Sequence, residues 1–470
     1  MNRERLKNIA LLFLVVMNFV LSGKILIEKK LWPEGYNFFS NIGDFRIADF
    51  FGNIRDYLSD ESTYKTKVFY PEKIVINTGD QTTRISLNSA DAEFEQIAEE
   101  TKKLIKKALE FDSSVVIEVK AEEIYKALSS SSLFIDLSTD YSIKLLAKLS
   151  GGTNSAIGDD KVKIGDAVIV YSPRCEIYFC DWKNERHYKM NLQSGAQTLQ
   201  ELIDKCIEDN SDTDNAVINY SYDLKFDKPS GAQKATLDPL ILIYSTVSEF
   251  SSINSKNPLV HQDGINEEIV NDILRVFNIS SGKMSRYTEA GGRLVFVENN
   301  ATLKIDKNGY IEYHSTDSGG LVIDETGEEY AAISGVAKLA ADIGVAVGNG
   351  AGIRVADGEG QNEGKVYLDY VMSGLSVKLD YDKLSNGVEA TVEDGRLKSY
   401  RQLIRKYTQT GAKKQLTPFF ASLDNVIARY SGFMNEINIE KMYFGYSDDG
   451  TVGEKQAQWI VEVDNVIADE

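Results

Sequence analysis

The chain has 470 residues and a mass of 52.4 kDa, and its 43% of hydrophobic residues is ordinary for a folded globular protein. This composition excludes a largely disordered chain and a low-complexity fibre. The charge is strongly acidic, with 52 Lys and Arg against 71 Asp and Glu for a net −19. Four basic residues and one acidic residue give the first 24 residues a net charge of +3, which leaves −22 for the rest. A body this acidic repels phosphate backbones, so the composition argues against nucleic-acid binding through a basic surface.

An apolar run follows the basic N-terminus. Residues 8–27 contain one lysine near their end and no other charge, and a bilayer is spanned by about 20 such residues. The basic residues before the run favour a cytoplasmic N-terminus, which places the remaining chain outside the cell. We therefore predict a single-pass membrane protein with a cytoplasmic tail over 1–7 and an uncleaved signal anchor over 8–27. A cleaved signal peptide, with Val20 and Ser22 at the −3 and −1 positions, is the alternative.

Residues 28–65 are predicted as an aromatic-rich connector, and 66–236 as a first extracytoplasmic domain. One strong helical repeat in this domain predicts a helix that Asp91 caps. The apolar positions of the helix are Phe94, Ile97, Ala98, Thr101, Leu104, Ile105 and Ala108. Alternation of apolar and polar residues predicts strands over 73–77, 84–88, 114–120 and 133–137, and an antiparallel meander over 165–190. Further helices are predicted over 121–128 and 198–209.

Two later domains, over 237–328 and 329–470, each combine a helix with antiparallel strands. Asn-Gly pairs at 308–309 and 386–387 mark predicted turns. Helices are predicted over 266–277, 331–344 and 422–430, and strands over 240–245, 285–290, 292–299, 301–306, 310–315, 365–372, 375–384, 388–400 and 457–465. The fold class is therefore α+β, with an N-terminal transmembrane helix followed by three extracytoplasmic domains of antiparallel sheets with packed helices.

Residues that carry chemistry are few and scattered. His187 and His314 are predicted on strands and His261 in a loop, so the histidines lack the spacing of metal ligands. Residues 348–352 resemble a dinucleotide-binding loop, but no helix follows them, and a mobile surface loop is predicted instead. Two S-x-x-K matches lack their partner motifs. We predict no catalytic residue, no cofactor and no metal.

The three cysteines indicate buried, reduced thiols. Cys175 and Cys180 are five residues apart on a predicted strand, so they point to opposite faces of the sheet. Cys206 lies in a helical pattern. An odd number of cysteines cannot form a fully paired disulfide framework.

Several stretches resemble the YycH family. They are the N-terminal run MNRERLKNIALLFLVVMN, the strand FYPEKIVIN, the stretch DAVIVYSPRCEIYFCD and residues 257–315. The likeness follows most of the chain in order, as diffuse patterns without a diagnostic motif. It implies a single-pass regulator of low-GC Gram-positive bacteria with three extracytoplasmic domains, the later two of which resemble YycI. The Gly-rich stretch near 344–364 and the long connector depart from the family pattern, and no active-site residue of the family carries over.

The resemblance also implies partners, namely a WalK-like sensor histidine kinase that controls cell-wall metabolism and a YycI-like membrane protein. One face of the predicted transmembrane helix can pack against transmembrane helices of the kinase. This face comprises Leu11, Leu14, Val15, Asn18, Leu21 and Ser22. Asn18 is either a tolerated polar residue or a hydrogen-bonding contact between helices, and the direction of control stays open.

Two other functional classes stay open at this stage. One is an exported cell-wall enzyme, which requires two carboxyl groups that converge in a cleft. The other is a PepSY-like module that binds an envelope peptide, a polysaccharide or a protease. A tyrosine-lined pocket between the second and third domains would favour the binding module.

Overall fold

The computed structural model describes residues 71–80, 84–110, 116–153, 155–158, 161–192, 196–209, 218–223, 234–244, 249–261, 264–280, 282–298, 300–316, 320–324, 328–357, 364–430, 436–463 and 466–469. They all belong to one unit, Ser62–Glu470. The predicted signal anchor at 8–27, its cleavage alternative and the connector at 28–65 lie outside the described residues.

The first part of the described chain builds a seven-stranded antiparallel sheet whose two faces are both covered. Along β1 (Lys73–Thr78), Ile74 and Ile76 point to one buried face and Val75 to the other. Apolar residues therefore occupy both alternating positions of the strand. In spatial order the strands are β2 (Arg84–Leu87), β1, β4 (Ser131–Ser142), β5 (Lys163–Val170), β6 (Cys175–Asp181), β7 (Arg186–Leu192) and β3 (Ile117–Val119).

Helices cover this sheet on both sides. The larger core contains α1 (Phe94–Leu109), α3 (Ile143–Leu149) and α4 (Gln197–Asp209). The opposite face is covered by α2 (Ala121–Leu128), whose residues Ile124, Ala127 and Leu128 are buried. All predicted apolar positions of α1 are buried, which confirms the helical repeat.

The predicted cap of α1 is wrong. The N-cap is Glu93, which makes no side-chain hydrogen bond to the helix. Asp91 instead accepts a 2.7 Å hydrogen bond from the backbone N–H of Asn88. The carboxylate stabilises the turn before the helix, because a short Asp side chain bonds nearby backbone donors in turns as readily as in caps.

A thirteen-stranded sheet forms the rest of the framework. Its spatial order is β14 (Ser285–Thr288), β15 (Leu294–Glu298), β16 (Ala301–Ile305), β17 (Tyr310–Ser315), β22 (Arg396–Leu403), β21 (Val388–Glu393), β19 (Lys365–Met372), β20 (Leu375–Leu379), β24 (Glu436–Asp448), β26 (Ala457–Val463) and β27 (Val466–Asp469). Two further strands pair at its side, β18 (Gly352–Val355) with β19 and β9 (Lys234–Leu237) with β24. The sheet continues across residue 329, since Tyr313 pairs with Tyr400. The predicted domain boundaries at 236, 328 and 470 stay predictions.

Three helices pack on the large sheet: α5 (Glu267–Val276), α6 (Glu329–Val347) and α7 (Phe419–Tyr430). Of the described helices, α6 alone is long and apolar enough to cross a membrane by length and composition. It contacts β18, β19 and β21 as well as α3 and α5, and Val336 and Ile343 are fully buried there. Its apolar composition therefore follows from packing in the core.

Three small sheets complete the fold. β11 (Glu249–Lys256) lies between β23 (Lys406–Gln415) and β25 (Gly453–Lys455), and Ile253 and Tyr407 pack on the large sheet. The remaining pairs are β8 (Ile218–Tyr220) with β10 (Leu242–Tyr244) and β12 (Val260–His261) with β13 (Gly264–Ile265). His261 thus lies on a short strand, and its predicted loop position is wrong.

The Gly-rich stretch 348–352 lies at the surface, as predicted, and hydrogen bonds tie it to β23. Gly348 ends α6 with a positive φ of 64°, which a glycine adopts without a Cβ clash. Asn349 Oδ1 then accepts the backbone N–H of Tyr407 at 3.1 Å, and the N–H of Gly350 donates to the Tyr407 carbonyl at 3.3 Å. The glycines allow this close approach to β23, and β18 follows directly.

One of the two Asn-Gly pairs forms a hairpin turn, and the other does not. Gly309, with φ +95°, forms the predicted hairpin turn between β16 and β17. Asn386 and Gly387 connect β20 to β21, but these strands pair with other neighbours and form no hairpin. Asn386 is buried and donates to Asp369 Oδ1 at 3.2 Å, so tertiary contacts determine this connection.

Candidate functional site

A row of titratable side chains crosses the seven-stranded sheet on the face that α2 covers. Residues directly opposite one another on antiparallel strands point to the same face. The register of β1, β4, β5, β6 and β7 pairs each member of the row with the next one. This set, the titratable row, comprises Lys73, Asp136, Asp166, Cys180 and His187.

One ion pair joins two members of the titratable row, and Trp182 contacts two further members. Lys73 Nζ lies 3.2 Å from Asp136 Oδ2. The indole Nε1 of Trp182, which directly follows β6, donates a 2.8 Å hydrogen bond to Asp166 Oδ2. The Trp182 ring also packs on the imidazole of His187, with ring centroids 4.4 Å apart. Trp182 therefore connects the acidic end of the row with its Cys–His end.

Cys180 and His187 bring a thiol opposite an imidazole, the pairing that activates cysteine nucleophiles in enzymes. Burial, together with the charge of Asp166, raises the pKa of the Cys180 thiol well above its usual range. Burial also lowers the pKa of His187, whose Nδ1 has no hydrogen-bond partner among the described residues. Both shifts favour the neutral forms, whereas nucleophilic attack requires a thiolate. The pair therefore supports a structural role.

At the acidic end of the row, burial and neighbouring carboxylates disfavour the ionised forms of Asp166 and Asp238. Burial raises the pKa of Asp166 well above its usual value, and the nearby carboxylates of Asp136 and Asp238 raise it further. Burial likewise raises the pKa of Asp238. Lys73 partly compensates these charges, since it faces both Asp136 and Asp166.

A second charged cluster joins the seven-stranded sheet to the thirteen-stranded sheet. Glu72, just before β1, accepts a 2.9 Å hydrogen bond from Nη2 of Arg354 on β18. The same guanidinium group donates to the hydroxyl of Ser376 on β20. This set, the ionic junction, comprises Glu72, Arg354, Ser376 and the pairs Lys378–Asp369 at 2.7 Å and Lys441–Asp357 at 2.9 Å.

Opposite charges dominate the ionic junction. Burial opposes the negative charge of Glu72, yet Arg354 and Lys73 outweigh it and lower the pKa of Glu72 to about 2. Burial also opposes the charge of Asp357, and Lys441 nevertheless lowers the pKa of that carboxyl. Both acids are therefore ionised at neutral pH. The junction combines the largely buried pair Glu72–Arg354, which joins the two sheets, with the half-exposed pair Lys441–Asp357.

The sequence-predicted site residues have mixed outcomes. The proposed transmembrane face at Leu11, Leu14, Val15, Asn18, Leu21 and Ser22 lies outside the described residues and stays a prediction. Cys175 and Cys180 belong to different cores on the two faces of the sheet, as predicted. His187 lies on β7 and His314 on β17, which confirms their strand positions. No group of three or more His, Cys, Asp and Glu side chains in the described part of the chain can hold a metal ion.

Sequence reasoning missed the titratable row as a set. Its members come from five separate strands, and only the register brings them together. One signal was present in the sequence. Asp136 and Asp166 interrupt strongly apolar strands that are buried on both faces, where a carboxylate is costly without partners.

Two cavities lie away from the titratable row. One, of about 530 Å³, lies between two hairpin turns and is lined by Glu289, Ala290, Gly291, Arg293, Asp306, Lys307 and Asn308. The other, of about 210 Å³, is lined mainly by charged and small residues around the start of α6. Neither has a tyrosine in its wall, so neither is the tyrosine-lined pocket that would favour a PepSY-like module.

Comparison with solved structures identifies the architecture. YycH from Bacillus subtilis superposes with a TM-score of 0.57 at 11% sequence identity, covering 86% of this chain and 96% of that chain. The fold resembles that of YycH. The described residues confirm the predicted mixture of helices and largely antiparallel sheets. The prediction of purely antiparallel sheets is wrong, because β24 pairs in parallel with both β20 and β9. An uncharacterized protein from Eubacterium rectale gives a TM-score of 0.29 at 9% identity over 49% of this chain and 82% of that one, which carries no inference. No family model and no curated protein matches the sequence.

Proposed function

We propose that this chain is a membrane-anchored, extracytoplasmic regulator of a WalK-like sensor histidine kinase, and that it is not an enzyme. The observation that carries the proposal is the fold likeness to YycH, which extends over 86% of this chain and 96% of that one. The neutral Cys180–His187 pair is consistent with a regulator, because the thiol lacks the activation that a nucleophile needs.

The proposed placement in the membrane rests on the N-terminal sequence. The first 24 residues have a net charge of +3, and basic residues before an apolar run favour a cytoplasmic N-terminus. The rest of the chain, with a net charge of −22, is then extracytoplasmic. The acidic body is repelled by anionic lipid headgroups, which makes protein surfaces the first candidates for its partners. A YycI-like membrane protein is a further proposed partner.

The proposed mechanism is a bias between two packing states of the kinase transmembrane helices. The face that contains Leu11, Asn18 and Ser22 would contact the kinase helices inside the bilayer. A coupling free energy of about 1–3 kcal/mol is sufficient to change the balance of two such states. The extracytoplasmic body would set this bias through its contacts with the kinase or a second membrane protein.

Cross-linking of the full chain in intact cells of the source bacterium tests the proposal. Mass spectrometry of the cross-linked products identifies the partners, and recovery of a sensor histidine kinase supports the regulator. Recovery of an envelope polysaccharide, peptide or protease, with no kinase, would overturn it in favour of the binding module. Release of fragments from purified cell wall by the protein would instead show an enzyme.

A pair of substitutions tests the helix contact. Asn18→Leu removes the polar group from the proposed face, whereas Val16→Leu changes the opposite face of the same helix. We expect N18L to change the output of a kinase-dependent reporter and V16L to leave it unchanged. Equal output and equal co-purification of the kinase for both variants would contradict the helix contact.

A further inference from the structure

The strand β14 forms one edge of the thirteen-stranded sheet. It pairs with β15 on one side, and no described strand pairs with it on the other. All four of its residues are exposed, and Tyr287 is 50% exposed. Proline, lysine and bulges, which commonly keep the edges of sheets from pairing, are absent from this strand. The edge is therefore open to a further strand.

The geometry of the β14–β15 hairpin determines which backbone groups of β14 face outward. The N–H of Glu289 donates a 2.9 Å hydrogen bond to the Arg293 carbonyl, where the hairpin closes. Along an antiparallel pair, residues that exchange hydrogen bonds alternate with residues that do not. Tyr287, two residues before Glu289, therefore bonds to its partner on β15. The N–H and C=O groups of Arg286 and Thr288 consequently point away from the sheet.

These outward groups match those of a second β14 under a two-fold axis. When the axis passes through Tyr287 perpendicular to the sheet, Arg286 of each copy lies opposite Thr288 of the other. Each of these pairs exchanges hydrogen bonds in both directions. The two copies of Tyr287 form the central pair, which exchanges no hydrogen bond and has the closest side chains, and paired aromatic residues stabilise neighbouring strands. The edge is therefore complementary to itself, as a two-fold interface requires.

Local charge permits this contact although the chain as a whole is acidic. Residues 281–299, which contain β14 and β15, carry three basic and two acidic residues for a net charge of +1. The guanidinium group of Arg286 is paired within the chain, since Nη1 donates a 2.8 Å hydrogen bond to Glu267 on α5. Exposed charges more than about 8 Å away are largely screened at physiological ionic strength. The net charge of −19 therefore does not oppose a contact confined to this edge.

We propose that β14 is a homodimerisation edge, at which two copies of the chain pair their β14 strands about a two-fold axis at Tyr287. The two thirteen-stranded sheets then form one continuous sheet. The contact is small, so its affinity is low and dimers form where the local concentration of the chain is high. The edge belongs to the fold, and it is present whether or not the chain regulates a kinase.

Oxidative cross-linking of the purified full chain in detergent, at high protein concentration, tests the contact. At the two-fold axis the Cα atoms of the two copies of residue 287 are about 4.5 Å apart, within the range that a disulfide bond spans. Tyr287→Cys should therefore give a covalent dimer under mild oxidation. The three native cysteines are buried and do not compete.

Ser285→Cys is the matched control for the cross-link. Residue 285 is exposed on the same face of the same strand, but its two copies would lie about 14 Å apart along the strand direction. Y287C should therefore form at least about tenfold more covalent dimer than S285C, as measured by non-reducing electrophoresis. Equal amounts of dimer from the two variants, or no dimer from Y287C, would overturn the proposal.

A proline variant tests whether strand pairing holds the dimer. The N–H of Thr288 points outward, so Thr288→Pro removes a donor to the second copy and no hydrogen bond to β15. In the Y287C background, T288P should lower the cross-linked fraction at least about fivefold and change the unfolding temperature by less than about 2 °C. An unchanged cross-linked fraction would contradict strand pairing. In intact cells, cross-linking of Y287C to a different protein alone would overturn the homodimer and assign the edge to that partner.

Discussion

Nη2 of Arg354 lies 2.9 Å from Oε1 of Glu72, and this contact joins residues 282 positions apart in the sequence. Both side chains are largely buried, with exposed fractions of 9% for Arg354 and 17% for Glu72. The pair connects the start of the seven-stranded sheet to β18 of the thirteen-stranded sheet. A buried pair of this kind contributes less net stability than its attraction indicates, but loss of one partner leaves the other charge without compensation.

Arg354→Met should therefore destabilise the protein strongly. The change leaves Glu72 largely buried without its hydrogen-bonded guanidinium partner, and nearby lysines compensate its charge only in part. We expect the free energy of unfolding to fall by about 3 kcal/mol. Arg275→Met is the matched control, because Arg275 is 76% exposed and pairs with Asp272 on the surface of α5. We expect the control to cost less than about 1 kcal/mol. Urea unfolding of the full chain measures both.

The double variant Glu72→Gln/Arg354→Met separates the ion pair from local packing. If the uncompensated carboxylate causes the loss, the double variant should be more stable than R354M alone. A double variant that loses the sum of both single effects would contradict this interpretation and assign the cost to packing.

The ionic junction also predicts loss of stability in acid. The pKa of Glu72 is lowered to about 2, and that of Asp357 is lowered as well. A carboxyl group with a lowered folded pKa stabilises the fold above its unfolded pKa of about 4, and this contribution is lost as the pH falls toward the folded value. The raised pKa of Asp166 has the opposite effect and stabilises the fold as the pH falls from neutral. Stability should therefore pass through a maximum at mildly acidic pH.

Equilibrium unfolding over a pH series measures this maximum. Glu72→Gln should reduce the loss of stability in strong acid. It should leave unchanged the gain in stability between neutral and mildly acidic pH. Stability that increases steadily into strong acid would contradict the assigned roles of Glu72 and Asp357.

The elements that could be predicted are those whose structure depends on residue patterns within a short stretch of the chain. The helical repeat of α1 buries one regular set of positions, and the apolar runs of β5, β6 and β7 are buried on both faces of the sheet. The printed sequence is therefore sufficient to place these elements. The Asn308-Gly309 turn was predictable for the same reason, since φ at Gly309 is positive.

Tertiary contacts explain what the sequence did not predict. β11 and β23 have polar, irregular sequences and are strands because they pair with each other and bury Ile253 and Tyr407 on the large sheet. The continuous thirteen-stranded sheet depends on long-range pairs such as Tyr313 with Tyr400. The titratable row depends on register between strands, which no residue pattern within one strand reveals.

The three cysteines should be slow to react in the folded protein. Cys180 and Cys206 are fully buried and Cys175 is 7% exposed. Burial also raises the pKa of Cys175 to about 11 and that of Cys180 well above its usual value. We expect little alkylation by iodoacetamide near neutral pH in buffer and complete alkylation in guanidinium, as measured by intact mass. Rapid labelling of native Cys180 would instead show an activated thiol beside His187.

Two residues on α6 test whether this apolar helix belongs to the core. Ile343 is fully buried, whereas Val345, two residues later, is 65% exposed. Ile343→Ala should lower the free energy of unfolding by about 3 kcal/mol, because it removes buried methyl groups and leaves a cavity. Val345→Ala should change it by less than about 0.5 kcal/mol, since little packing is lost and alanine is the better helix former.

Urea unfolding of the two variants distinguishes a core helix from a membrane span. A core helix has one apolar face buried in protein, so its two faces respond differently to truncation. A helix surrounded by lipid would lose similar contacts on either face. Equal effects of I343A and V345A, or protection of Val345 from water in membrane preparations, would contradict the packing of α6 against α3, α5 and the thirteen-stranded sheet.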